Sequence, residues 1–138
     1  MIEPYLSLGG NAAEAAAYYA GVFDAPEPYV MRYGEIPPGE MEEVPPEAAQ
    51  LVMHANVKTY GGDLMLADAM PGSDTTPSAG MWITLSHTDQ NRLRETFERL
   101  SREGEVLSPL EPSFFSPLYG QLRDKYGFFW MLMSPEEP

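Results

Sequence analysis

Over the first half of the chain the apolar positions change period several times. Residues 3–8 alternate polar and apolar through Tyr5, Leu6, Ser7 and Leu8, which predicts a short strand that stops at Gly9-Gly10. Over 12–23 the spacing turns helical, with Ala15, Tyr18, Tyr19 and Val22 on one side of an alanine-rich segment. Asn11 followed three positions later by Glu14 is a capping-box-like start, and Gly21 weakens the last turn. Residues 29–33 predict a second strand. Residues 34–50 are acidic and Pro-rich (Pro37-Pro38, Glu42-Glu43, Pro45-Pro46) and predict a long loop of the kind that forms a lid or a dimer arm. A stronger strand follows over 51–60. Its alternation sets Val52, His54, Asn56 and Lys58 on one face and Leu51, Met53, Ala55 and Val57 on the other. Gly61-Gly62 then signals a hairpin into a strand over 63–67.

Residues 68–80 are rich in Pro, Gly, Ser and Thr and read as a linker, after which the order repeats. A strand over 81–86 precedes a helix capped by Thr88 or Asp89 and running to about residue 102. Leu93, Phe97 and Leu100 form its apolar stripe, and Glu95–Arg99 and Glu98–Arg102 are favourable pairs on its wet side. Gly104 stands where a left-handed C-terminal cap is expected. Strands starting at Val106-Leu107, over 118–125 and over 128–133 complete the pattern. The chain therefore predicts an α+β fold of paired βαβββ modules: module one about 1–68, a linker about 69–80 and module two about 81–133, in a single domain 1–138. Each module is expected to form a curved antiparallel sheet with a helix across one face. Facing one another, the two sheets would enclose a trough, the natural place for a ligand.

Composition narrows the partners. A chain of 138 residues suits one domain with a real core. Cysteine is absent, so disulfides, thiolate metal sites and thiol nucleophiles are excluded. Eight basic against 21 acidic residues give a net charge of -13, which argues against nucleic acid and anionic membrane surfaces as partners. Such acidity attracts cationic small molecules or, more simply, keeps the protein soluble. The opening Met1-Ile2-Glu3-Pro4 lacks a signal-peptide pattern, and no apolar run approaches the roughly 20 residues of a membrane span, so a cytoplasmic location is expected.

Several strings occur in an order that resembles one family: Pro4-Tyr5-Leu6 with Gly10-Asn11, the Tyr18-Tyr19 pair, Met53-His54-Ala55-Asn56-Val57, the run from Met65 to Gly72, and the run from Asp124 to Met131. Together they resemble the PhnB-like proteins of the vicinal-oxygen-chelate (glyoxalase/bleomycin resistance/dioxygenase) superfamily. The resemblance implies the paired βαβββ fold, a homodimer, and kinship with glyoxalase I, extradiol dioxygenases and antibiotic-resistance proteins. Members of this branch are often labelled demethylubiquinone methyltransferase-like, yet no glycine-rich strand-to-helix fingerprint for S-adenosylmethionine is visible. Two departures fall where ligand selectivity would be set. Phe114-Phe115 after Ser113 replaces an aromatic pair that ends in Trp, and loop 34–50 is idiosyncratic.

The same resemblance directs attention to the first and last strands of each module, where metal-dependent relatives carry His or Glu facing the trough. Here those strands offer Tyr5, Ser7, Met65 and Ala67, then Trp82, Thr84, Ser86, Trp130 and Leu132, all poor ligands for a divalent ion. A facial site from His54, His87 and Asp68 or Glu3 is disfavoured, and neither metal nor cofactor is expected. His54, mid-strand beside Asn56 and Lys58, is the first candidate for chemistry: a general base oriented by Asp68, or else a structural histidine. Asp68 either reaches the site or caps a turn. Asn56, Trp82, Phe114, Phe115, Tyr119 and Trp130 are the candidate ligand contacts, with core packing the favoured role of both tryptophans and pocket or interface that of Phe114-Phe115. Arg123 and Lys125 could meet an anionic group or simply sit on a solvated turn, and the many methionines suit a tolerant pocket. The expected function is binding of a small organic molecule in the trough, with His54 and Asp68 in an enzymatic role. The alternative is metal-free sequestration of a hydrophobic or cationic compound, as in bleomycin-resistance proteins.

Overall fold

A computed structural model of the chain describes residues 1–40 and 44–135. The fold is built from two compact units, Met1–Thr75 and Thr76–Pro138, which meet inside the expected linker. The first contains β1 (Tyr5–Leu8), α1 (Ala12–Val22), β2 (Tyr29–Arg32), β3 (Val52–Thr59) and β4 (Gly62–Asp68). These strands form one sheet in the order β1-β4-β3-β2. The pairing is mixed rather than antiparallel throughout: β1 runs parallel to β4, while β2–β3 and β3–β4 are antiparallel. The reason is that β1 leaves through a helix and not through a hairpin, so its direction is not tied to its neighbour's.

α1 packs chiefly on β3 and also on β4. Leu6, Leu8, Leu64, Leu66, Ala55 and Val57 are buried on that side, each large side chain contributing roughly 1.5–3 kcal/mol. Ala12, Ala15, Ala16 and Tyr19 of the helix are fully buried against them. Short alanine side chains bring the helix axis close to the sheet. The β3 alternation departs from the simple pattern at its start. Met31 pairs with His54 but Arg32 pairs with Val52, a bulge that places two β3 residues against one of β2. Val52 therefore turns to the helix side and is fully buried, while His54 keeps to the opposite face. The hairpin also sits one residue earlier than expected. Thr59 pairs with Gly62, leaving Tyr60-Gly61 as the loop and Gly62 at φ 130° to enter the strand.

The acidic loop is tied at its two ends. Short 3-10 turns at Tyr33–Glu35 and Pro46–Ala48 are joined by the Gly34 amide donating to Ala49 O at 2.9 Å and the Tyr33 amide to Leu51 O at 3.0 Å. Glu42 and Glu43 of this loop lie outside the described residues.

The second unit repeats the order with β5 (Ile83–Ser86), α2 (Gln90–Ser101), β6 (Glu105–Glu111), β7 (Leu118–Arg123) and β8 (Phe129–Ser134). Its sheet runs β5-β8-β7-β6, again with the first strand parallel to the last. Asp89 is the N-cap of α2, its Oδ1 accepting from the Arg92 amide at 3.1 Å. Leu93, Phe97 and Leu100 are buried as the stripe predicted, and Glu98 pairs with Arg102 at 2.7 Å. Gly104 does not take the left-handed cap conformation. Glycine is needed there for space, because a Cβ would overlap the Arg123 carbonyl of β7.

Two glycines test this packing from opposite sides. A Cβ on Gly120 would lie 2.8 Å from Leu110 Cα and 2.9 Å from the Phe97 ring, whereas one on Gly21 meets nothing within 4 Å. Gly120→Ala is expected to lower the unfolding free energy by about 1–3 kcal/mol, and Gly21→Ala to raise it by about 0.5–1 kcal/mol. Urea unfolding measures both, and a neutral Gly120→Ala would contradict the close approach of β6 to β7.

Candidate functional site

The first sheet has one face packed on α1 and one free of the helix. Register assigns the helix-free face: Tyr5 aligns with Met65, Met65 with Asn56 and Asn56 with Tyr29, and His54 aligns with Met31. Side chains that are cross-strand partners point to the same side. On this face the Tyr5 hydroxyl and His54 Nδ1 share a hydrogen bond of 3.0 Å, with ring centroids 5.7 Å apart. The Tyr29 ring flanks the imidazole at 6.3 Å. Both tyrosines remain largely exposed, 49% for Tyr5 and 58% for Tyr29, so the cluster is open to an incoming molecule. Partial burial pushes the Tyr5 phenol above its ordinary value, and the neighbouring Tyr33 adds to this, so the hydroxyl stays protonated at neutral pH.

Beside the cluster, Asn56 Nδ2 donates to Asp63 Oδ2 at 3.1 Å, and Lys58 lies 3.8 Å from the same carboxylate. The solvent-facing ion pair contributes at most about 1 kcal/mol. Asn56 Oδ1 is buried and has no hydrogen-bond partner among the described residues. Asn56 thus shares the face of His54, as the alternation predicts.

Asp68 does not orient His54. It is 4% exposed and faces the helix side with Leu64 and Leu66. Its Oδ1 accepts from the Gly10 amide at 2.9 Å and the Ala12 amide at 3.0 Å, and its Oδ2 from the Val52 amide at 2.9 Å. The capping role is the one the geometry supports. It also displaces the expected capping box, since the Asn11 side chain makes no cap hydrogen bond. The glycine turn between β1 and α1 therefore spends its Gly10 amide on the protein's own carboxylate.

Tyr5 is the residue that sequence reasoning missed as the partner of His54. Alternation alone puts Tyr5 on the helix-free side. Its meeting with a residue 49 positions away depends on β1 pairing with β4, which no local pattern announces.

In the second unit the helix-free face carries Tyr119, Gln121, Met131, Met133 and Phe129. Trp130 is buried at 2%, the core packing favoured for it from the sequence, and Leu132, which the resemblance set toward the trough, is buried at 0%. The Trp130 indole N–H donates to Asp124 Oδ2 at 2.8 Å, which fixes the β8 register with Trp130 inward. Phe129 takes the outer position, with the Trp82 ring at 5.0 Å and the Arg123 guanidinium at 5.5 Å. Phe114, 98% exposed, meets Phe115 edge-on at 5.1 Å, and Phe115 meets Tyr119 at 4.8 Å. Gln121 donates to the Tyr119 hydroxyl at 2.8 Å. A shallow cavity of about 330 Å³ lies nearby, walled by Glu103, Glu105, Arg123 and Lys125 among others, with Lys125 and Glu103 paired at 3.4 Å. Arg123 and Lys125 thus sit on a polar rim.

Among the described residues no group of three His, Cys, Asp or Glu side chains could hold a metal ion. Asp68 has both oxygens on backbone amides, and His87 Nδ1 accepts from the Asp89 amide at 3.0 Å at the start of α2. The donor set does not fit the three-ligand site considered from the sequence. No helix of the described residues is long and apolar enough to cross a membrane.

Comparison with known proteins identifies relatives along the full length. The family model described as 3-demethylubiquinone-9 3-methyltransferase matches residues 1–133. Protein YjdN of Escherichia coli is 30% identical, covering 95% of this chain and 92% of the relative. An uncharacterized Mycobacterium bovis protein is 28% identical over 97% of this chain and 85% of its own length. Among solved structures, a Pseudomonas aeruginosa protein covers 99% of this chain and 98% of its own, with a TM-score of 0.78 and 26% identity. A Bacillus cereus protein described as PhnB covers 96% of this chain and 98% of its own, with a TM-score of 0.72 and 28% identity. A glyoxylase/bleomycin resistance protein/dioxygenase domain from Frankia shares the fold at a TM-score of 0.66 and 16% identity, over 99% of this chain and 97% of its own.

Asp68 and Asp63 make a matched test of which carboxylate is structural. Asp68→Ala would orphan three backbone donors, two of them in buried bonds, and is expected to cost about 3 kcal/mol of stability. Asp63→Ala should cost less than about 1 kcal/mol. Urea unfolding of both variants is the measurement, and an unchanged midpoint for Asp68→Ala would refute the clamp.

Proposed function

The chain belongs to the 3-demethylubiquinone-9 3-methyltransferase family, the PhnB-like branch of the glyoxalase/bleomycin resistance/dioxygenase fold, and from that premise we propose that it binds a small organic molecule on the helix-free face of its first sheet. One observation carries this reading: the hydrogen-bonded Tyr5–His54 pair beside the open Tyr29 ring. Aromatic faces supply apolar contact area, and the imidazole supplies a directional polar group. That combination of a few polar groups among aromatic ones is what small-molecule sites use. In this reading Asn56 lies at the margin of the site, and any proton exchange by His54 involves Tyr5 and not Asp68. Methyl transfer is not part of the proposal, because the β1–α1 turn has its Gly10 amide engaged by Asp68.

A second reading is favoured by a separate observation. Phe114, almost fully exposed on top of Phe115 and Tyr119, offers an aromatic ladder to a hydrophobic or cationic compound. The net charge of -13 would favour a cation there. This is metal-free sequestration without turnover. Self-association belongs to either reading: among the described residues β2 and β6 end their sheets with unpaired edges, which a second copy could cover.

Titration calorimetry with a panel of planar aromatic compounds separates the two. For a ligand on the first face, His54→Ala and Tyr5→Phe are expected to weaken binding about tenfold or more, near 1.4 kcal/mol, and Phe114→Ala to leave it unchanged. The reverse pattern selects the sequestering role. Light scattering across concentrations reads the assembly, with a dimer expected and a persistent monomer counting against it.

A further inference from the structure

We propose that Tyr5 holds His54 in the tautomer whose proton sits on Nε2, so that the first face presents an N–H donor and takes neutral planar molecules bearing a carbonyl oxygen. The ligand half of this inference rests on the binding reading above; the tautomer does not. An imidazole has two ring nitrogens, and in its neutral form one donates while the other accepts. Here Nδ1 is engaged with the Tyr5 hydroxyl at 3.0 Å. Tyr5 keeps its proton, since burial and Tyr33 both oppose the phenolate. The bond can run either way, but a phenol O–H is a stronger donor than an imidazole N–H and a bare imidazole nitrogen a stronger acceptor than a phenol oxygen, so the hydroxyl donates to Nδ1 and the ring proton stays on Nε2.

If the ring gains a second proton, Nδ1–H donates to the phenol oxygen and Nε2 still carries its hydrogen. Both states therefore show the same group outward. Nε2 has no hydrogen-bond partner among the described residues and is not among their buried, unpartnered atoms. It is thus available to a ligand, and a donor requires an acceptor opposite it. The rings of Tyr5 and Tyr29, at 5.7 and 6.3 Å from the imidazole, add aromatic faces that suit an aromatic molecule. Carboxylates are disfavoured by the net charge of -13 and by Asp63 on the same face, whose charge Lys58 offsets only in part, and among neutral acceptors the carbonyl oxygen of a ketone, amide or ester is a strong one. His54 at rest is then a donor and not the general base that its residue type suggests. Tyr5 is the positioning residue.

The test uses the whole ¹⁵N-labelled protein. With only two histidines in the chain, a His54→Gln variant assigns the imidazole signals. Long-range ¹H–¹⁵N correlation above the imidazole titration is expected to place the proton on Nε2, and Tyr5→Phe to give a mixture of tautomers. Acetophenone, a neutral aromatic ketone, should shift the His54 Nε2 signal and lose about tenfold in affinity in His54→Ala. Benzylamine, an aromatic cation of similar size, should leave that signal unmoved. A proton on Nδ1 in the wild type, or a Tyr5→Phe spectrum identical to it, overturns the inference. Benzylamine outcompeting acetophenone at His54 overturns it too. An Nε2 proton with neither probe bound on this face instead sinks the binding reading and the ligand class with it, so the spectrum and the titration separate the two failures.

Discussion

One carboxylate organises the first unit. Asp68 sits at the end of β4 and accepts hydrogen bonds from Gly10 and Ala12 at the start of α1 and from Val52 at the start of β3. Three segments far apart in sequence are thereby fixed to one buried point. A charged acceptor suits the positive end of a helix, and its burial is tolerable because backbone donors replace the lost water. Through this clamp α1 is held against Leu64 and Leu66, and the opposite face of the sheet is left without a helix. The exposure of Tyr5, Tyr29 and His54 follows from that division.

The second unit reaches the same architecture with the polar work distributed differently. Its helix is capped locally by Asp89, three residues before the amide it accepts from. Its buried carboxylate, Asp124, ties the β7–β8 turn instead, accepting from the Tyr126 and Phe128 amides and from the Trp130 indole. Two aspartates at different points of one topology thus do related jobs. Both are buried and satisfied, as polar groups in a core have to be.

Much of this order is legible in the sequence, because hydrophobic period is a local property. The repeated strand–helix–strand–strand–strand pattern, the Leu93–Phe97–Leu100 stripe and the Glu98–Arg102 pair all follow from spacing alone. Features that depend on partners are not written locally. The bulge opposite Met31 and Arg32 reverses the side of Val52, and nothing in Val52 itself reports that. Trp130 and Met131 are both large and apolar, so alternation cannot tell which faces inward; the indole bond to Asp124 decides it. Gly104 looks like a helix cap by position, yet it is required by a passing carbonyl from β7. For the site, His54 was marked by its residue type and by polar neighbours on its strand. Its spacing pointed to Asp68 at a strand end as the partner and passed over Tyr5 on another strand, because only the parallel β1–β4 pairing brings Tyr5 to the imidazole.

The two halves share topology but not surface chemistry. In each, the last strand pairs in parallel with the first, and the outward residues of that last strand fall at matching places: Met65 and Ala67 in β4, Met131 and Met133 in β8. Around them the first sheet sets tyrosine, histidine, asparagine and aspartate, whereas the second sets Tyr119, Gln121 and Phe129 beside its two methionines. Flexible thioethers and aromatic rings accept many shapes but specify few. Directional recognition needs fixed donors and acceptors, and a side chain supplies direction only when a second group holds its orientation. On the second face Gln121 spends a donor on Tyr119. On the first, Tyr5 holds one edge of His54 and leaves the other free. That one oriented side chain, with a polar edge turned outward, is the physical ground for placing the proposed ligand on the first face and not on the second.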